Sequence, residues 1–128
     1  MRPRNGTLTP QELEIMKIVW KAGQTTVREV YEALREQRKV AYTTVLTMMK
    51  ILEGKGYLSK DVEERAHVYR PTRPEQTVVR SMVRDFVDRV FNGSAQPLLL
   101  HLVRDRKLTA GEIEELRALI DEGKKAEG

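Results

Sequence analysis

The residues with the most pointed chemistry lie in the run YTTVLTMMKILEGKGYL, residues 42–58. Successive helical residues advance by about 100°. Val45, Met48, Met49 and Leu52 therefore share one side, while Thr43, Thr47 and Lys50 fall within a narrow opposite arc and Thr44 sits toward its edge. Threonine is a mediocre interior helix former, so this cluster points to a surface that needs close approach. The base edges of a DNA major groove are such a surface, read by short hydroxyls and flanked by phosphates that attract a cation. Tyr42, at the head of the run, is grouped with these contacts, and Lys55, between Gly54 and Gly56, can reach a phosphate.

Other chemistries find less support. The chain contains no cysteine, which removes disulfides, thiolate metal sites and cysteine nucleophiles together and suits a reducing cytoplasm. His67 and His101 fall in different elements without ligand-like spacing, so no metal is expected. No serine, histidine and acid stand in a recognisable arrangement, and no glycine-rich phosphate loop occurs. Paired carboxylates such as Glu63-Glu64 read as a polar turn. Neither enzymatic activity nor a cofactor is expected.

The elements that must position the threonine arc are marked by local signals. Thr9 as N-cap, Pro10 at the first helical position and Glu12 as the capping-box partner start a helix that Gly23 ends. Its residues Leu13, Ile15, Met16, Ile18, Val19 and Trp20 cover a wide apolar face, with Trp20 a core anchor. Thr25 or Thr26 caps a second helix with Val27, Val30, Tyr31 and Leu34 inward. Arg28, in its first turn, reads equally as a solvated surface arginine and as a phosphate contact beside the helix N-terminus. After the threonine helix the period changes from 3.6 to 2, giving strands 57–62 and 66–70 around the turn Glu63-Glu64-Arg65. Three helices and a hairpin in this order form a winged helix-turn-helix, whose third helix enters the major groove. Arg65 and His67 on the wing are candidates for phosphate or minor-groove contact, although His67 alone also reads as an ordinary strand residue.

Pro71 and Pro74 divide the chain into a DNA-binding domain, residues 1–73, and a helical domain, residues 74–128. The charge follows this division. Residues 1–73 hold 14 Lys+Arg against 9 Asp+Glu, or +5, and residues 74–128 hold 9 against 10, or −1. Excess positive charge on one half suits a nucleic-acid partner for that half. Beyond the prolines, Val78, Val79, Met82, Val83, Phe86, Val87, Val90 and Phe91 form an apolar stripe two residues wide. Asn92-Gly93-Ser94 breaks this helix, Pro97 begins a short one through Leu98, Leu99 and Leu102, and Thr109 with Glu112 caps a last one. That last helix turns Ile113, Leu116, Leu119 and Ile120 inward before a charged tail frays. So little chain remains to cover the stripe that a second copy is expected to bury it, making residues 74–128 a three-helix dimerisation module; packing on the chain's own winged helix is the alternative. No apolar run is long enough to span a bilayer, and the N-terminal MRPRNG has no apolar stretch behind it; a cytoplasmic protein without membrane insertion is expected.

The motifs LTPQELEIMKIVW, TTVREVYEAL, AYTTVLTMMKILEGKGYL, ERAHVYRP and LTAGEIEELRALI, in this order, resemble the penicillinase-repressor family of winged-helix regulators over nearly the whole chain. The resemblance implies a homodimeric repressor on an inverted-repeat operator, commonly of β-lactamase or resistance genes, with a membrane sensor or its protease as a further partner. It assigns recognition-helix contacts to Thr43, Thr44 and Thr47. Two positions depart from the pattern. Ile51 stands where the family usually carries arginine, leaving Lys50 to supply the cation. The family's cleavage position aligns with His101-Leu102 in place of an Asn-Phe pair. The cysteine motif of copper-responsive relatives is absent.

Two function classes remain. In one, the chain is a sequence-specific repressor that holds two recognition helices about one DNA turn apart. In the other, it is a winged-helix protein-interaction adaptor that reads no DNA; the charge split and the threonine arc argue for the first.

Overall fold

The computed structural model describes residues 7–63 and 65–127; the N-terminal hexapeptide and Glu64 of the expected wing turn lie outside them. Six helices and one hairpin follow in the order α1 (Pro10–Ala22), α2 (Val27–Arg35), α3 (Tyr42–Gly54), β1 (Leu58–Glu63), β2 (Ala66–Pro71), α4 (Glu75–Phe91), α5 (Gln96–Arg104) and α6 (Ala110–Glu127). This is the mainly helical, winged helix-turn-helix class expected from the sequence.

Helix starts are fixed by reciprocal caps. In α1 the Glu12 N–H donates to Thr9 Oγ1 at 3.1 Å and the Thr9 N–H donates to Glu12 Oε1 at 2.9 Å. Thr26, rather than Thr25, closes the same box with Glu29 in α2, and Thr109 with Glu112 precedes α6. Gly23 ends α1 at φ 84, a left-handed conformation that favours glycine. Thr25 instead pairs its backbone with Tyr69 of β2, N–O distances being 3.0 and 2.7 Å. This short bridge ties the α1–α2 link to the wing and has no counterpart in the sequence reading.

The chain divides into two compact units, residues 1–82 and 83–128. In the first, Ile15, Met16 and Val19 of α1, Val30 and Leu34 of α2, and Val45, Met49 and Leu52 of α3 are at most 1% exposed. Leu58 and Tyr69 bring the hairpin into the same core, and Val78 with Met82 brings in the first turns of α4. The compact unit thus continues past the prolines, because Val78 is needed to close its core. The indole N–H of Trp20 donates to the Arg73 carbonyl at 3.0 Å, fixing the chain where it leaves the wing.

The second unit holds the rest of α4 with α5 and α6. None of its described residues with an assigned burial is buried. Leu119 and Ile120, expected to face inward, are 61% and 55% exposed, since no described residue of this unit covers them. That helix runs to Glu127, through residues expected to fray.

Candidate nucleic-acid interface

The burial of Val45, Met49 and Leu52 sets the rotation of α3. With those three inside, Thr43, Thr44, Thr47 and Lys50 are all exposed, as the helical spacing requires. Two parallel ridges of i, i+4, i+8 residues run along this outer side. Thr43, Thr47 and Ile51 form one; Tyr42, Leu46 and Lys50 form the other.

The second ridge borders a cleft of ≈ 550 Å³ whose other walls are the start of α2 and the wing. Arg28, Lys50, Lys60, Arg65 and His67 line it together with Tyr42 and Tyr69. Arg28 is held loosely by Glu32 at 3.4 Å and keeps 71% of its side chain exposed, so its charge remains available to a ligand. Lys60 lies 4.0 Å from Glu53. Arg65, at φ 79, adopts a left-handed backbone that costs free energy in a non-glycine residue and sits at the wing turn. Tyr42 meets Tyr31 edge to face, centroids 5.5 Å apart. Burial, and then the negative charge of Glu53, pushes the Tyr69 hydroxyl above its ordinary pKa. Four cations around one open cleft raise the local positive potential, and phosphate is the anion such a cleft suits.

The start of α3 differs from α1, α2 and α6: Ala41 provides no side-chain cap. Its first amide N–H groups therefore add to the positive character of this side.

Lys55 has another role. Its ammonium donates to Glu12 Oε1 at 2.8 Å, to Oε2 at 3.1 Å and to the Thr7 carbonyl at 3.2 Å. Glu12 is 5% exposed, and a buried carboxylate needs a charged partner. Burial pushes its pKa up, but the Lys55 hydrogen bond, the Thr9 hydrogen bonds and the Lys55 charge together hold it below the ordinary value. Lys55, expected to reach a phosphate, is held by Glu12 and the Thr7 carbonyl and is not among the residues that line the cleft. Lys60, by contrast, does line the cleft. Strand alternation places it on the face shared by Leu58, but only the fold reveals that this face turns toward α3.

The residues expected to dimerise divide by position. Met82 packs against the core of the first unit and Val79 is half-buried beside it. Val83, Phe86, Val90 and Leu99 are exposed, as are Leu119 and Ile120. Val87, Phe91, Leu102 and Leu116 are half-buried. Phe91 contacts both Phe86 and His101, with ring centroids 5.8 and 5.9 Å apart. His101 is exposed and Leu102 half-buried. Among the described residues no group of acids, histidines or cysteines could hold a metal ion, and no described helix is long and apolar enough to cross a membrane.

A family model described as penicillinase repressor matches residues 8–122. The penicillinase repressor of Bacillus licheniformis is 30% identical over 117 residues, covering 91% of each chain. The transcriptional regulator BlaI of Mycobacterium tuberculosis is 33% identical over 113 residues, covering 87% of this chain and 80% of the relative. The solution structure of the DNA-binding domain of the repressor BlaI superimposes with a TM-score of 0.52 at 31% identity, covering 58% of this chain and 90% of that one.

Proposed function

The chain belongs to the penicillinase-repressor family, whose members are DNA-binding transcriptional repressors and not enzymes, and from that premise we propose that it acts as a homodimer on an inverted-repeat operator. The observation that carries the DNA-reading part is the pair of ridges on α3. Thr43 and Thr47 are exposed and could offer their hydroxyls to base edges, and the neighbouring ridge borders the cationic cleft of Arg28, Lys50, Lys60 and Arg65. Base contacts specify and phosphate contacts position; here the two kinds of group lie side by side.

The homodimer rests on the second unit. Val83, Phe86 and Val90 of α4 and Leu119 and Ile120 of α6 are exposed apolar side chains in a unit with no buried residue among those described. A second copy offers the same surface in return, the self-complementary arrangement of a twofold dimer. Residues 1–73 would then bind DNA and residues 74–128 would hold the pair together. Two half-sites joined in this way bind far more tightly than one, so cleavage or ligand binding in the dimer unit would release the operator. The names of the relatives suggest β-lactamase or resistance genes as targets.

Recovery of genomic fragments bound by the purified protein tests this proposal. An inverted repeat with its two halves about one helical turn apart is expected among them. Fragments sharing no motif would leave the fold intact and move the function to that of a protein-interaction adaptor.

A further inference from the structure

Ile51 is 43% exposed and closes the ridge begun by Thr43 and Thr47. The core of this unit is already filled from α3 by Val45, Met49 and Leu52, and Ile51 does not line the cleft against the wing. Singly exposed aliphatic residues are ordinary on a protein surface. This one extends a ridge of hydroxyls that, on the function proposed above, enters a major groove. Positions four residues apart on a helix are separated by about 6 Å, more than one base-pair step, so Ile51 reaches a base different from those met by the threonines. The base edges there are polar except for the 5-methyl group of thymine. An aliphatic side chain opposite a hydrogen-bonding edge would leave that edge unsatisfied; opposite the methyl group it buries apolar surface on both sides.

We infer that Ile51 reads a thymine methyl group in each half-site and is a specificity-determining residue of this protein. The inference rests on the DNA-reading function. It assigns discrimination at one operator position to apolar contact rather than to charge, so this part of the specificity is insensitive to salt. Loss of one buried methyl contact corresponds to about a fourfold loss of affinity per half-site, or about fifteenfold for two half-sites.

The test starts from duplexes selected from a random pool by the full-length protein. Each thymine of the selected half-site is replaced by uracil, which removes the methyl group and nothing else, and affinities are measured for the wild type and for Ile51→Ala. Uracil at one position is expected to weaken wild-type binding by about fourfold per half-site, and Ile51→Ala is expected to bind thymine and uracil there equally. The substitution is at an exposed helical position, and an unchanged melting curve verifies that the variant is folded. Uracil tolerated at every position, or a variant as sensitive to it as the wild type, overturns the inference while leaving the DNA-reading function in place. Selection that yields no consensus overturns both.

Discussion

At the scale of single residues, Thr47 and Lys55 make opposite forecasts although the sequence points both toward DNA. Thr47→Ala removes one exposed hydroxyl without touching the core. It should weaken operator binding by about 1 kcal/mol and leave binding to random DNA nearly unchanged; equal losses on both would remove Thr47 from the base readers. Lys55→Ala leaves the Glu12 carboxylate buried and without its cation. We expect about 2 kcal/mol of lost stability in urea unfolding, with no change in the salt dependence of DNA binding. Glu12 also makes stability depend on pH. Its folded pKa lies below the ordinary value, so its contribution is fully present above about pH 4.3 and is lost as pH falls through the lower folded value. Unfolding measured between about pH 6 and about pH 3 should show that loss, and Glu12→Gln should flatten it. The sequence disclosed the Thr9 half of this site, three residues away in a capping box. It did not disclose the Lys55 half, because an ion pair across 43 positions leaves no local pattern.

At the scale of elements, the helices were legible because their boundaries are local chemistry. Thr9-Pro10-Glu12, Gly23 and Thr109-Glu112 each marked an end that the structure keeps. The rotation of α3 was legible for the same reason, since periodicity alone separates Val45, Met49 and Leu52 from Thr43, Thr47 and Lys50. Three features were not. The Thr25–Tyr69 bridge is a backbone pairing too short to show a period. The use of Val78 by the first unit depends on where α4 docks rather than on its spacing. Lys60 lines the cleft only because the wing faces α3. The cleft formed in this way can be tested through its charges. Arg65→Ala should reduce the slope of log affinity against log salt concentration by about 0.9 on operator and random DNA alike, and an unchanged slope would show that the wing tip lies away from phosphate.

At the scale of the whole molecule, the two units differ in what they leave exposed. The first closes a core around Ile15, Val30, Val45 and Tyr69 and turns outward hydroxyls and cations. The second turns outward Phe86, Val90 and Leu119 and closes no core among its described residues. Phe86→Asp should shift the protein toward monomer in sedimentation equilibrium, and a dimer unaffected by that charge would contradict the assignment of residues 74–128. The most direct measurement of the central claim is the ratio of operator affinity to random-DNA affinity for the full-length protein at one fixed, near-physiological salt concentration. A ratio of about 10³ or more is the expected result for two threonine ridges reading an inverted repeat. A ratio near one would contradict it, leaving a winged helix that meets DNA only through its charge.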